Sequence, residues 1–291
     1  MSDNSTLLIE PEALPNTIGL LGRASCKRTV AIGAPSLPVT VLKCQGMRVS
    51  EQKLRQFNSV IGWNKSEQLP PTFVHIMAFP LQMSLVLEES FPFALMGLVH
   101  IKNTISQLRP IHINESLDIK CYSSDLISHK RGWQFTLNTE AYVGDELVWR
   151  SASTNLLRQE VQTIARGNMP ALRKPIEPKG ATENWTLANN LGRNYAKVSG
   201  DYNLIHLYPL TAKLYGFQRH IIHGMWSKGR ALSALSDVLP PAFEAHVKFK
   251  NPILLPAEII FSHQSEQNQG KFSMYSNNLL QQHLTGHWLS L

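Results

Sequence analysis

The longest apolar stretch of the chain covers residues 69–87 and predicts a buried helix. Its 19 residues include no charged side chain, and Pro70 and Pro71 stand at its start, where a helix can follow them. Three prolines and four polar side chains interrupt the stretch, so it is too polar and too broken to span a bilayer. We therefore predict a soluble protein without a membrane span.

The same hydrophobic pattern occurs twice, which predicts a duplicated unit. In the first half, a helix opening at 74–77 is followed by a strand that begins at 98–101; in the second half, a helix opening at 222–225 is followed by a strand at 245–248. Each segment holds a histidine, and the separations, His75 to His100 and His223 to His246, are 25 and 23 residues. Each unit is expected to be a long helix packed on an antiparallel sheet. Two unrelated helix-then-strand units would give the same pattern by chance.

Proline and glycine positions divide the chain into four predicted parts. Residues 1–36 are expected to be an irregular N-terminal extension, 37–165 a first folded unit, 166–180 an interdomain linker and 181–291 a second folded unit. Within the second unit, 181–222 is predicted to be rich in loops and 225–239 to be helical. The predicted strands are the β-like runs at 39–42, 117–122, 133–139, 146–150, 246–250, 257–263 and 271–276.

The composition excludes a disordered chain and leaves several ligand classes open. Of the 291 residues, 43% are hydrophobic and 17% are charged, which provides enough apolar side chains for a core. The net charge of +7 is spread along the chain without a run of five basic residues, so no nucleic-acid partner is predicted. Such a surface suits an anionic small molecule, for example a coenzyme A thioester. Candidate contacts to its phosphates, each equally well explained as solvated surface, are Lys130, Arg131, Arg173, Lys174 and Lys179.

The cysteines and the N-terminus predict a cytoplasmic location. Cys26, Cys44 and Cys121 are odd in number and widely spaced, so neither a disulfide framework nor a zinc-binding pair is predicted. No basic residue precedes Arg23, so the chain lacks the positive region of a secretory signal. The glycine motifs of nucleotide hydrolysis, dinucleotide redox and α/β-hydrolase chemistry are missing as well, which argues against those activities.

Polar and ionisable side chains are concentrated in residues 199–206. Gly200 permits a tight turn, and Pro209 suits the first position of a short helix over 210–215, so the residues between them form a loop held by fixed elements. Asp201 and His206 on this loop are a plausible acid/base pair. Gly224 stands where the second long helix begins, and a first-turn N–H can stabilise an oxygen that becomes negative. Spacing alone does not show that these groups meet.

The same region also offers ligand types for zinc. His220 and His223 lie three residues apart and could join Asp201 and His206 around an ion. Neither an HExxH motif nor a matching cysteine accompanies them. We therefore predict no metal.

The motif around these residues resembles the hydratase 2 signature of the MaoC-like dehydratases, which are (R)-specific enoyl-CoA hydratases. The motif consists of Tyr195-x-x-x-Ser199-Gly200-Asp201-x-Asn203-x-x-His206, then Ala212, Gly216, Phe217 and Ile222-His223-Gly224-Met225. A further match lies at 247–252. The resemblance covers roughly residues 185–265 and is weaker in the first half, which is similar to the degenerate partner domain of double-hotdog members. It implies an α+β fold of two hotdog units, each a long central helix wrapped by an antiparallel sheet, with the two sheets paired edge to edge.

The resemblance also implies a reaction. Asp201 and His206 would bind and activate one water, and the Gly224 N–H would hold the thioester oxygen as an enolate develops. Water would then add to a trans-2-enoyl thioester to give an (R)-3-hydroxyacyl thioester, with dehydration as the reverse. No metal or redox cofactor is implied, and coenzyme A or an acyl carrier protein enters only as part of the substrate. The supporting residues implied by the resemblance are Asn203, Ser199, Tyr195 and His223.

Two departures from the family pattern limit what the resemblance implies. Leu204 stands where the family often has proline, which is expected to change loop stiffness more than chemistry. In the first half Ile76 occupies the position of Gly224 and no Asp-x-Asn-x-x-His precedes it, so that half is predicted to be inactive. A hotdog thioesterase and a non-catalytic acyl-thioester binding subunit stay open as alternatives. So do the acyl chain length and the choice between monomer and homodimer.

Overall fold

One sheet runs through the whole molecule. The computed structural model describes residues 6–8, 14, 17–27, 35–94, 98–158 and 174–291. The strands are β1 (Thr6–Leu8), β2 (Val41–Met47), β3 (Leu98–Gln107), β4 (Leu117–His129), β5 (Gly132–Val143), β6 (Glu146–Arg158), β7 (Ala181–Leu187), β8 (Phe243–Phe249), β9 (Ala257–Ser265), β10 (Gln269–Ser276) and β11 (Gln282–Ser290). The helices are α1 (Thr17–Cys26), α2 (Glu51–Ile61), α3 (Phe73–Met77), α4 (Phe79–Leu87), α5 (Leu191–Ser199), α6 (Pro209–Lys213) and α7 (Gly224–Ala234), with a 3-10 turn at Leu204–His206.

The strand order confirms the duplicated unit. It is β1-β2-β4-β5-β6-β3-β8-β11-β10-β9-β7, so the five strands β2-β4-β5-β6-β3 are mirrored by β7-β9-β10-β11-β8. The two halves meet at the antiparallel pair β3 and β8, where Asn103 lies opposite Val247 and Ile105 lies opposite Ala245. We call this pair the seam. β1 adds a parallel edge strand beside β2.

The central helices lie in the core that the two halves share. α3 and α4 supply Phe73, Ile76 and Leu81 to it, and α7 supplies Trp226 and Leu232, all of them buried. Burying each of these side chains contributes roughly 1.5–3 kcal/mol before the entropy of ordering is subtracted. The apolar side chains therefore hold α4 against β2 and β4 of its own half, and α7 lies against α2 in the shared core.

The single long helix predicted for the first half is wrong, because the structure divides it into α3 and α4. Pro80 lies in the first turn of α4. It has no N–H to donate to Ile76, and its ring conflicts with a helical carbonyl four residues earlier, so the helix cannot continue through it. Ala78 joins the two pieces: its N–H bonds to the Val74 carbonyl at 3.0 Å, and its carbonyl accepts from the Gln82 N–H at 3.0 Å.

The irregular extension predicted for residues 1–36 is also wrong in part. β1 and α1 lie within it, and Leu20 of α1 is buried against Met83 and Leu87 of α4. Gly19 and Gly22 weaken the helical pattern of this segment, and contact with α4 compensates for that weakness. Residues 159–173, which include 166–173 of the predicted linker, lie outside the described residues.

Other predicted elements differ from the structure in extent. The passage 181–222 is less irregular than predicted, since it contains β7, α5 and α6, and the helix predicted over 225–239 ends at Ala234. β11 was not predicted. The strand predicted from residue 98 and the seven β-like runs are all present, and most are longer than predicted. In the described parts of the chain, no helix is both long enough and apolar enough to cross a bilayer.

Candidate active site

The loop that carries Asp201 begins at the end of α5. Gly200 caps this helix in the left-handed conformation at φ 80°, which glycine adopts without strain, and its N–H bonds to the Ala196 carbonyl at 2.9 Å. The Asp201 N–H then donates to Ser199 Oγ at 3.2 Å, and Asp201 Oδ1 accepts from the Asn203 N–H at 3.1 Å. The aspartate is therefore held at both its backbone and its side chain, while its other carboxylate oxygen remains available.

Asn203 holds the turn that carries His206. Its side-chain Oδ1 accepts from the Ile205 N–H at 3.4 Å, and its backbone carbonyl accepts from the His206 N–H at 2.9 Å. This is the arrangement of a side-chain cap on a short helical turn. Leu204, in the place of the family's proline, extends outward and is 37% exposed. The asparagine thus supports the loop with hydrogen bonds, without the fixed φ of a proline.

The ring of His206 is oriented by a backbone carbonyl. His206 Nδ1 lies 2.8 Å from the Ile221 oxygen, and because a carbonyl only accepts, Nδ1 carries the proton. The lone pair is then on Nε2. Burial lowers the pKa of His206, while the nearby charge of Asp201 opposes that shift, so the imidazole is neutral at neutral pH. A neutral imidazole with a lone pair on Nε2 can accept a proton.

His223 stacks on His206 and bonds to the aspartate loop. Its Nε2 donates to the Asp201 backbone oxygen at 2.9 Å and lies 3.9 Å from Asp201 Oδ2. Burial, and then the neighbouring His206, lower the pKa of His223 well below its ordinary value. Tyr195 packs on the other side, with ring centroids 4.8 Å apart, and burial raises the pKa of this phenol. The site is therefore lined by neutral rings around one carboxylate.

Gly224 is the first residue of α7, directly after His223, which caps the helix in an extended conformation. First-turn amides have no acceptor inside the helix, so the Gly224 N–H faces outward at the positive end of the dipole. A Cβ at this position would lie 3.1–3.2 Å from the ring of Phe249. A larger residue here would therefore need the ring of Phe249 on β8 to shift by a few tenths of an ångström.

The fold brings together side chains whose meeting could not be shown from their spacing in the sequence. One ligand-type atom from each of Asp201, His206 and His223 lies within 4.8 Å of the others. Gly224 follows His223 directly and begins α7. The first half contributes His75, which is buried near enough for the Asp201 carboxylate to act on its pKa.

Comparison with known proteins shows the family of this chain. The model of the MaoC like domain matches residues 173–285. The 3-hydroxyacyl-thioester dehydratase X of Mycobacterium tuberculosis is 32% identical over 251 residues, which are 86% of this chain and 88% of the relative. The chain belongs to the MaoC-like dehydratase family. The resemblance found in the sequence is therefore confirmed.

Solved structures agree with the fold of this MaoC-like dehydratase. The crystal structure of HtdX of Mycobacterium tuberculosis superposes with a TM-score of 0.76 at 28% identity, over 86% of this chain and 100% of that one. A MaoC-like dehydratase from Phytophthora capsici gives a TM-score of 0.69 over 86% of this chain and 95% of that one; at 18% identity it shows the fold alone. With the mirrored strand order, these similarities confirm the α+β double hotdog.

The cluster is also a donor set that could hold a metal ion. Two imidazoles and a carboxylate suit a divalent cation as well as a water. One nitrogen of each ring already bonds to a carbonyl, which leaves His206 Nε2 and His223 Nδ1 for any further ligand. His220, the other candidate, lies outside the cluster and bonds to the Asn189 carbonyl at 2.7 Å.

Sequence reasoning missed residues that shape the site of this MaoC-like dehydratase. Gly192 in α5 has no room for a Cβ, because the His206 carbonyl oxygen occupies that space. Phe249 belongs to the matched segment 247–252, but its position over Gly224 is visible only in the structure. A glycine inside a helical pattern was the available signal for close packing at 192.

The proposed phosphate contacts lie on the surface. Lys130 and Arg131 are exposed at the turn between β4 and β5, and Lys174 and Lys179 are exposed before β7. Arg173 is outside the described residues. Their assignment to coenzyme A phosphates stays a prediction.

Proposed function

We propose that this MaoC-like dehydratase adds water reversibly to a trans-2-enoyl thioester, forming an (R)-3-hydroxyacyl thioester at a site in its second half. The observation that carries the proposal is the neutral His206, with its lone pair on Nε2, in one cluster with the Asp201 carboxylate and with His223, the residue before the first-turn N–H of Gly224. The similarity to a protein named as a 3-hydroxyacyl-thioester dehydratase supports this substrate class.

The geometry supports a mechanism with one bound water. Asp201 and His206 Nε2 bind this water, and one of them takes its proton as the oxygen bonds to C3 of the substrate. The electrons of the double bond move onto the thioester, whose oxygen becomes negative and is stabilised by the Gly224 N–H. C2 then receives a proton from the group that took one from the water, so the elements of one water are added and nothing is oxidised or reduced. The thioester itself acidifies C2, and the proposed reaction needs no metal or redox cofactor.

Two alternatives remain against this proposal. A thioesterase would attack the carbonyl carbon and release a thiol, whereas a binding subunit would be stabilised by acyl thioesters without turnover. The conjugated enoyl thioester absorbs in the ultraviolet and loses that absorbance on hydration. We therefore expect loss of absorbance without thiol release from a short and a medium trans-2-enoyl-CoA. Thiol release would instead establish a thioesterase.

The control for this experiment is Asp201→Asn, which keeps the size of the side chain and removes its charge. If Asp201→Asn abolishes hydration, the activity belongs to this site. If acyl thioesters stabilise the wild type but are not turned over, the protein is a binding module. Activity with an acyl-carrier-protein substrate and none with coenzyme A would identify the carrier.

The proposed compartment is the cytoplasm. Cys44 and Cys121 are both buried, and the Cys121 thiol contacts Thr139 Oγ1 at 3.5 Å. Burial raises the pKa of Cys121 to about 12, which keeps it a thiol. Cell fractionation tests this proposal.

A further inference from the structure

Lys228 is a fully buried cation at the seam. It lies on α7, four residues after Gly224, and its side chain has no exposed surface. Its Nζ donates to the Asn103 carbonyl at 3.1 Å, to Asn103 Oδ1 at 2.6 Å and to the Ala245 carbonyl at 2.9 Å. Asn103 is on β3 and Ala245 is on β8, so this single group ties α7 to both halves of the sheet.

The contacts of Lys228 match an ammonium group. Three oxygens surround Nζ, and an ammonium has one proton for each, whereas a neutral amine would direct its lone pair at an oxygen. Asn103 is fixed in turn by its Nδ2, which donates to Ser151 Oγ and Ser153 Oγ at 2.9 and 3.0 Å. Burial lowers the pKa of Lys228 well below its ordinary value, and the charge of Glu244 opposes that shift. Burying a charged group costs free energy, so we expect a buried lysine where its charge or its contacts have a role.

The hotdog unit itself does not require this lysine. Ile76 is the first-half counterpart of Gly224, and four residues after it stands Pro80. The first half therefore builds the same strand order around a proline at this position. The cation belongs to the half that carries Asp201 and His206.

Lys228 lies on the same helix as Gly224, about one turn after it. Long side chains in a helix lean toward its N-terminus, which here is the end that carries Gly224. The ring of Phe249, which closes over Gly224, is 5.1 Å from the ring of His100, and His75 lies 6.3 Å beyond His100. The pKa of His75 is lowered to about 3 and that of His100 to about 4, by burial first and with Lys228 among the lesser causes.

We propose that Lys228 is a positioning residue that fastens the N-terminus of α7 to the seam and adds positive charge beside the enolate oxygen held by Gly224. In a site closed to water, a fixed positive charge stabilises a developing anion strongly. This inference rests on the proposed function for the identity of that anion. The seam strands also carry Glu244, which already contacts His246 at 2.7 Å and Ser106, and the paired Lys102 and Lys248.

The test uses 3-oxobutanoyl-CoA, whose enolate has the charge of the proposed intermediate and absorbs in the ultraviolet. Bound to the wild type, it should ionise at a lower pH than in free solution. In Lys228→Met, which keeps the length of the chain without its charge, ionisation should require a pH about one unit higher or more. The kcat for enoyl-CoA hydration should fall by about 10- to 100-fold with KM changed far less, because the charge acts on the transition state.

Arg230→Met is the matched control. Arg230 lies on the same helix, half-buried over the ring of Trp185 at 4.5 Å, and its loss should leave the ionisation of the bound ligand unchanged. If Lys228→Met fails to fold, Lys228→Gln keeps two N–H donors without the charge and replaces it. The proposal is overturned if the lysine variants match the wild type, or if wild-type enzyme does not lower the pH of ionisation. Lowered ionisation without enoyl-CoA hydration would instead overturn the proposed function alone.

Discussion

The imidazole rings of His206 and His223 lie face to face, with centroids 3.6 Å apart and planes 26° from parallel. Each is anchored through one nitrogen, His206 to the Ile221 carbonyl and His223 to that of Asp201. A proton added to either ring would place a positive charge against the other in a buried environment. Both rings are therefore held neutral, and the Asp201 carboxylate is the charged group beside them.

This neutrality predicts the pH dependence of the reaction. Burial lowers the pKa of His206, so its neutral form persists below the ordinary histidine value of about 6.5. We expect kcat/KM for enoyl-CoA hydration to stay constant as the pH falls through 6.5 and to decline only at lower pH. A decline centred at or above pH 6.5 would contradict the lowered pKa of His206.

Loss of either proposed acid/base group should abolish most turnover. Asp201→Asn and His206→Ala are each expected to fold normally and to lose at least about 100-fold in kcat, the scale of positioned acid/base groups. Circular dichroism checks the fold, and the enoyl absorbance assay measures the rate. Wild-type rates in either variant would rule out this site.

The role of the Gly224 N–H can be separated from the space at Gly224. Gly224→Ala and Gly224→Pro both add a Cβ facing Phe249, where a Cβ would lie 3.1–3.2 Å from the ring, but only proline removes the N–H. The extended conformation of His223 is compatible with a following proline. We expect kcat to be about 100-fold lower in the proline variant than in the alanine variant. Equal rates in the two would place the oxyanion donor elsewhere.

Metal removal tests whether the cluster works with water alone. We expect dialysis against EDTA to leave the hydration rate unchanged, because the thioester supplies the acidity of C2. Adding Zn²⁺ afterwards should not raise the rate. Activity lost to EDTA and restored by Zn²⁺ would make Asp201, His206 and His223 metal ligands instead.

The buried His75 predicts acid instability. Its pKa is lowered to about 3, by burial first, so the folded state stays neutral where the unfolded chain, near pKa 6.5, takes up a proton. The stability from this group is present above about pH 6.5 and is lost as the pH falls toward 3, by about 1.4 kcal/mol per pH unit.

Replacing this histidine should flatten that dependence. His75→Gln is expected to reduce the change in unfolding free energy between pH 4 and 6 by about that amount per unit, as measured by urea denaturation. His112→Gln, which changes an exposed histidine, is the control. An unchanged slope in His75→Gln would contradict the buried neutral ring.

The sequence predicted the duplicated unit and those features that depend on residues close together in the chain. The spacing of His75, His100, His223 and His246 indicated a duplicated unit, and the mirrored strand order agrees with it. The ends of the elements were harder to predict, because contacts distant in sequence decide them: α1 is covered by α4, and Pro80 divides a helix whose composition is apolar throughout.

The candidate site likewise has features that the sequence predicted and features that only the structure shows. The chemical types at Asp201 and His206 were visible in the motif, since hydrogen bonds within a few residues hold that loop. The tightness at Gly192 and Gly224 was not, because the atoms that fill the space of a Cβ come from the His206 carbonyl and from Phe249. Lys228 was not singled out in the sequence, because its acceptors, Asn103 on β3 and Ala245 on β8, are distant from it along the chain.

The seam joins two units of a single chain, and this affects how the enzyme behaves on dilution. A hotdog pair made from separate chains dissociates when the protein is scarce, whereas here each unit meets the other at an effective concentration fixed by the connecting polypeptide. Asn103 and Ala245, which hold Lys228 from opposite sides, therefore stay together at any protein concentration. The covalent connection also means that one unit can lose its chemistry while still completing the other.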